Sequence, residues 1–379
     1  MSSGENKRAE TVVRELFASA GVGVEGKQPG DILVKDPAFY GRLLREASIG
    51  LGESYMDGWW ECDALDLFIE KLLRIDIKKK IEGSFRLKLL TLQALVTNMQ
   101  SRARAKIVAE KHYDLGNDLY EVMLDERMVY TCGYWKNAKT LGEAQEHKLE
   151  LICKKAHIKA GMRVLDLGCG FGGFANYAAE KHGCEVVGVT VSTEQQKWGS
   201  GVAKRKGLPV EIRLQDYRAA HGKFDAVVSI GMLEHVGWKN HRNLMEVVHR
   251  CLHSDGIAVL HTIGSNESQR HGIPFFEKHL FPNAASPSLA QLGKAMENLL
   301  VVEDLHNIGP DYRPTLLAWW KNFEAGYSTL DKRKYDERFY RMWRFYLLSA
   351  AGAVAARESQ LWHLVLTHIG REQPDSRFS

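Results

Sequence analysis

The segment Val164-Leu165-Asp166-Leu167-Gly168-Cys169-Gly170-Phe171-Gly172-Gly173 constrains this chain more than any other, because it reads as a strand running into a glycine turn that opens a helix. Glycines at 168, 170, 172 and 173 remove side chains where a ligand and the backbone must approach, and they permit a tight strand-to-helix turn. Such a turn can bring backbone close to a nucleotide-like ligand. The spacing departs from the dinucleotide fingerprint: Asp166 lies inside the strand end, and no convincing ribose-binding acid closes the next strand.

Alternating strand and helix signals surround this loop. Strands are expected at 163–167, 185–190, 210–214, 225–230 and 257–262, with helices over 143–158, 172–182, 193–205 and 240–251. The pattern predicts an α/β domain from about residue 111 to 379, with the glycine loop at the carboxyl edge of its first core strand, where open sheets bind ligands. Later the alternation lapses. A polar insertion from Gly264 to Asn283 could cover a substrate, and helical patterns follow over 313–325 and 333–366. Residues 1–110 read as a smaller helical domain, with helices near 10–20, 36–47, 63–75 and 84–108. There Tyr55, Trp59 and Trp60 sit beside Gly50, Gly52 and Gly58, which suits a packing corner better than a recognition surface. A length of 379 residues agrees with two domains.

No run of eighteen apolar residues occurs, and MSSGENKRAE lacks the basic region and apolar stretch of a secretory signal, so a soluble, cytoplasmic protein is expected. Six cysteines, at 62, 132, 153, 169, 184 and 251, lack the short paired spacing of a zinc cage and the density of a disulfide scaffold, which favours reduced thiols. The formal charge of +4 identifies no partner by itself, but eleven Lys or Arg against three acids fall between Lys71 and Lys111. That excess can meet an anionic membrane surface or form a solvated helix face. The neighbouring run Leu87, Leu89, Leu90, Leu92, Leu95, Val96 and Met99 fits either an interfacial helix or a buried packing face.

Several groups can carry chemistry. Asp166 can orient the glycine loop by accepting backbone hydrogen bonds. Thr190 through Gln195 follow the second core strand and Gln215-Asp216-Tyr217 the third; both offer partners for ribose or adenine, and both also suit an N-cap or turn. Gly231-Met232-Leu233-Glu234-His235-Val236-Gly237 follows the fourth, where Glu234 can align a proton acceptor and His235 can complete the turn. His261, at the end of the fifth, can bond an anion or satisfy a buried backbone group. Tyr312 can enter the cleft or pack. Tyr130 and Thr131 can close over an amino-acid end of a cofactor, Cys132 can hydrogen-bond through thiol or backbone, and Tyr134-Trp135 can line an acyl channel or an interdomain contact. His112 and Asp114 lack further donors, so no metal site is assigned.

Asp-x-Gly-x-Gly-x-Gly, here Asp166 through Gly172, resembles the cofactor loop of Rossmann-like methyltransferases that use S-adenosylmethionine. Across nearly all of its length the chain resembles the cyclopropane-fatty-acyl-phospholipid synthases. The marks are Gly50 through Trp60 (GLGESYMDGWW), His112 through Asp118 (HYDLGND), Gly231 through Gly237 (GMLEHVG), His261 through Gly264 and Phe281 through Asn283. The resemblance implies a Rossmann-like S-adenosylmethionine-dependent methyltransferase with a smaller helical N-terminal domain for lipid interaction and assembly. It implies methylene transfer to cis-unsaturated acyl chains of membrane phospholipids, with bicarbonate in the active site.

Around that ion it places Cys132, Glu234, His261, Ile263 and Tyr312, Ile263 acting through its backbone and as a pocket wall. Cofactor contacts fall on Tyr130 and Thr131, on Leu165, Asp166, Leu167, Gly168, Cys169, Gly170, Phe171, Gly172 and Gly173, on Thr190, Val191, Ser192, Thr193, Glu194 and Gln195, and on Asp216 and Tyr217. The resemblance also implies a homodimer held peripherally at the inner face of the cell membrane, with no nucleic-acid partner. Related enzymes often carry a cysteine where this chain has Ala350, which speaks against an obligatory covalent role for that cysteine. Methyl transfer without ring closure and noncatalytic phospholipid binding are the alternative functions.

Overall fold

The structure is a computed structural model that describes residues 3–75 and 115–378. The expected helix at 84–108, Lys78 to Lys80 and the His112/Asp114 pair lie outside the described residues. The chain divides into two compact units, neither continuous in sequence. One joins the N-terminal part, through Leu115, to Ile273–Pro282 and Tyr327–Glu358; the other comprises Gly116–Gly272, Asn283–Gly326 and Ser359–Ser379. The expected single break near residue 110 therefore differs from the observed division, in which two later segments fold with the N-terminal part.

The first unit is mainly helical, with helices Ser3–Ser19, Ala38–Glu46, Ser48–Met56, Leu65–Arg74, Pro274–His279 and Glu337–Ala355. Two short antiparallel strands, β1 (Leu33–Val34) and β2 (Trp60–Glu61), join them. Trp60 is fully buried against Tyr55, Phe68 and Phe345, and its indole N–H donates to Ser54 Oγ at 3.0 Å. The aromatic corner is thus packing, and a buried indole with a partner avoids the penalty of an unpaired donor.

The second unit holds a seven-stranded sheet of order β5-β4-β3-β6-β7-β9-β8. Its strands are β3 (Arg163–Leu167), β4 (Glu185–Thr190), β5 (Val210–Leu214), β6 (Phe224–Ile230), β7 (Leu252–Ser265), β8 (Leu300–Asn307) and β9 (Ser359–His368). The first five are parallel, and β9 pairs antiparallel with both β7 and β8. Alternate side chains enter apolar layers on opposite faces: Leu165 and Leu167 join Val227 and Leu260, whereas Val164 joins Phe174, Val228 and Val259. The helix Leu141–Lys155 begins with a capping box, Thr140 accepting from the Glu143 N–H.

The helix expected over 333–366 is corrected to a helix ending at Ala355 followed by strand β9. Arg357 at φ 65° breaks the helix. Leu361 through Thr367 are all buried, and apolar residues at 361, 362, 364, 365 and 366 fall on both faces of the strand, so no alternation of apolar and exposed positions is there to read.

Candidate active site

The loops after β3, β4, β5 and β6 meet at the carboxyl edge of the sheet, on both sides of the point where strand order reverses. They border a cleft of about 520 Å³. Gly168, Gly170 and Gly172 have φ of 76°, 55° and 77°, left-handed values that glycine adopts without steric penalty. Tyr130, Thr131, Asp166, Gly168, Cys169, Gly170, Phe171, Gly173, Thr190, Val191, Gln195, Asp216 and Tyr217 line the cleft.

Other expected contacts lie elsewhere. Leu165 and Leu167 point into the core, and Gly172 backs the loop, where a Cβ would come within 2.7 Å of Ile212 Cδ1. Ser192 caps the helix Thr193–Lys206 by accepting from the Gln195 N–H, which realises the N-cap reading. Thr193 and Glu194 are exposed, and Glu194 pairs with Lys197 at 3.0 Å.

Sequence reading missed Lys148. It is fully buried, borders the cleft and donates to Thr131 Oγ1 at 2.8 Å. Burial lowers its pKa to about 8 against the opposing pull of Asp125, Cys132 and Asp166. Asp166, also buried, is raised to about 7, with Lys148 opposing, and neither carboxyl oxygen has a partner among the described residues. The available signal was spacing: Leu141, Ala144, Lys148, Leu151 and Lys155 recur every three or four residues, placing both lysines on the buried stripe of their helix.

A second group lies around the ends of β6 and β7. Glu234 is buried in the turn after β6, and its Oε1 accepts the Ile263 backbone N–H at 2.5 Å. Burial raises its pKa to about 7, and Oε2 has no partner among the described residues. Ile263 therefore already gives its N–H to Glu234 rather than holding it for an anion. His261 and Ile263, two residues apart on β7, share a face. Ile263 and Tyr312 pack on the cluster of Cys132, Ile308 and Leu361. The Cys132 thiol donates to the Gly133 carbonyl at 3.0 Å and is held well above its ordinary pKa by burial, so it remains a neutral thiol.

His261 meets His363 of β9, Nδ1 to Nε2 at 2.8 Å, and its Nε2 has no partner among the described residues. Burial, with His363 next, drives its pKa well below the ordinary imidazole value, so it is neutral near pH 7. None of the five expected catalytic residues lines the 520 Å³ cleft, although Gly231, Met232 and His235 from the Glu234 turn do. One buried acid and one buried neutral imidazole thus stand behind a ligand cleft.

Residues 100–364 match the family model for mycolic acid cyclopropane synthetase. The chain belongs to that family. It is 48% identical over 356 residues to the cyclopropane-fatty-acyl-phospholipid synthase of Escherichia coli K12, covering 94% of this chain and 92% of that one. Among solved structures it resembles the cyclopropane synthase MmaA2 from Mycobacterium tuberculosis, with TM-score 0.63, 26% identity and coverage of 68% and 96%. It also resembles the mycolic acid cyclopropane synthase CmaA1 complexed with SAH and CTAB, with TM-score 0.63, 27% identity and coverage of 67% and 95%. The Rossmann-like methyltransferase fold expected from the loop, with the helical N-terminal region expected from residues 1–110, is the one this family member adopts.

Proposed function

We propose that this chain transfers a methylene group from S-adenosylmethionine to cis-unsaturated acyl chains of phospholipids, forming a cyclopropane ring. The observation carrying this reading is the glycine-loop cleft standing beside a buried acid and a neutral imidazole, each with an atom that has no partner among the described residues. An alkene is a weak carbon nucleophile, so the site must align it with the sulfonium methyl and exclude water that would capture a cationic intermediate. The loops after β3, β4 and β5 are suited to hold the adenosyl and amino-acid parts. The cluster of Cys132, Ile308 and Leu361, with Ile263 and Tyr312 packed on it, is largely apolar and suits the reacting carbons.

Of the five residues expected around bicarbonate, Glu234 and His261 each keep a buried atom without a partner among the described residues, whereas the Ile263 N–H and the Cys132 thiol are already given to protein acceptors. His261 can present Nε2–H, and Glu234, titrating near 7, can hold or release a proton at Oε2 toward a small oxyanion. Bound there, bicarbonate would supply the base for the proton lost on ring closure. Incubation with unsaturated phospholipid vesicles and labelled cofactor tests the reading by product mass and fragmentation. A ring-containing acyl chain is expected; a branched or methylene-bearing product would replace it with methyl transfer alone, and no lipid modification would defeat both.

Among the described residues no helix is long and apolar enough to cross a membrane. The basic and apolar stretch between Lys71 and Lys111 supports peripheral attachment to an anionic surface at the inner face of the cell membrane, and the family resemblance is the ground for a homodimer there. Reversing Lys78, Lys79 and Lys80 should weaken sedimentation with anionic vesicles while leaving neutral vesicles unaffected. A fully active monomer on bilayer substrate would overturn the assembly.

A further inference from the structure

His363 sits directly across the sheet from His261, and His306 of β8 sits across from His363, so three imidazoles form a row on one face. The His261 and His363 rings are 2% and 0% exposed, with centroids 4.9 Å apart. Their hydrogen bond uses His261 Nδ1 and His363 Nε2, leaving the outer nitrogens, His261 Nε2 and His363 Nδ1, without partners among the described residues. Between two neutral imidazoles this bond has two forms. If His363 donates, His261 carries its hydrogen on Nε2; if His261 donates, its Nε2 is a bare lone pair.

The ligand that His261 is read to meet chooses between them. The buried lysines do not select a form: Lys155 is already held by Asp304 at 2.5 Å and the Ser376 carbonyl at 3.2 Å, and Lys148 bears on both imidazoles. Tyr134 and Asp304 flank His306. An oxyanion at His261 Nε2 accepts a hydrogen there and is repelled by a lone pair, so the hydrogen of His261 belongs on Nε2 and its Nδ1 is the acceptor. Nδ1 of His363 is then bare, the hydrogen sits on Nε2, and that N–H donates to His261 Nδ1.

We infer that His363 is a positioning residue, which locks His261 in the tautomer whose Nε2–H is available as a hydrogen-bond donor on the Ile263 side of β7. This rests on the functional reading above, since it gives His261 a fixed donor for an oxyanion beside the reacting carbons. No net proton transfer is required of His363, only the direction of one hydrogen bond.

The variants His363→Gln and His363→Leu separate the possibilities. The glutamine amide can donate to His261 Nδ1, whereas leucine fills the space without a donor. With saturating vesicles and cofactor, His363→Leu should lose about ten- to hundred-fold in kcat, the range known for partners that orient metal-bound imidazoles. Its affinity for S-adenosylhomocysteine should be unchanged, and His363→Gln should recover most of the turnover. A folded leucine variant with normal kcat, or a glutamine variant as impaired as leucine, would overturn the inference. ¹⁵N spectra of histidine-labelled protein read the tautomer directly: a protonated His261 Nε2 is expected in wild type and His363→Gln, and a protonated Nδ1 would reject the assignment. That measurement needs no turnover. It therefore decides the tautomer even if the leucine variant does not fold, and separately from whether wild-type protein makes a cyclopropane ring.

Discussion

Ile263 donates its backbone N–H to Glu234 Oε1 at 2.5 Å, while Oε2 of the same carboxyl stays buried without a partner among the described residues. Burial raises this acid from 4.5 to about 7, so the folded protein binds its proton more tightly than the unfolded chain does. Between those values stability falls as pH rises, by on the order of 3 kcal/mol in all. Glu234→Gln removes that dependence, and its Tm should gain on wild type from pH 5 to pH 8. Turnover should fall at least about a hundred-fold, since an amide cannot reproduce an acceptor-only carboxylate. The wild-type rise in kcat through about pH 7 should vanish. Near-normal turnover in the folded variant would remove Glu234 from the chemistry.

Lys148→Met tests the buried cation behind Thr131. The variant takes away the donor to Thr131 Oγ1, a bond of about 1–2 kcal/mol, so S-adenosylhomocysteine should bind roughly five- to thirty-fold more weakly by calorimetry. Wild-type Lys148 has its pKa lowered from 10.5 to about 8, so stability rises with pH across that window as the unfolded chain holds the extra proton. The methionine variant should lack this rise. Unchanged affinity would limit Lys148 to packing.

Gly172→Ala probes the loop. A Cβ there would lie 2.7 Å from Ile212 Cδ1 and 3.1 Å from Asn176 Nδ2, on a backbone at φ 77°. The strain should cost about 1–3 kcal/mol and lower Tm, with loss of S-adenosylhomocysteine binding. Full stability with normal binding would mean that the loop relaxes.

In the helical unit Glu53 accepts from Arg42 at 2.5 Å, Lys278 at 2.5 Å and His279 at 3.0 Å. Burial pushes this acid up, yet the bonds to His279 and Lys278 outweigh it and hold the pKa at about 2. Its contribution is complete above the ordinary value of 4.5 and is lost as pH falls toward 2. Glu53→Gln should destabilise the protein at pH 7 by about 3 kcal/mol, the scale of a broken buried ion pair, and flatten the loss of Tm between pH 5 and 3. Equal acid sensitivity in the variant would assign that loss to other carboxylates.

Sequence by itself determined the parallel half of the sheet and its ligand edge. Strands β3, β4 and β5 fall where their apolar runs end in turn residues, and the glycines at 168, 170 and 172 announce a left-handed loop that no other residue adopts as readily. Local pattern is sufficient there because each strand and its following helix are adjacent in the chain. Only the tertiary structure decided the rest. Strand β9 is buried on both faces from Leu361 to Thr367, so its apolar residues do not alternate with exposed ones. Its pairing with β7 brings His363 against His261 across a separation of 102 residues, and helix packing buries Lys148 beside Thr131. Hydrogen-bond direction, burial and shifted proton affinity arise from such distant neighbours, which spacing along a chain does not encode.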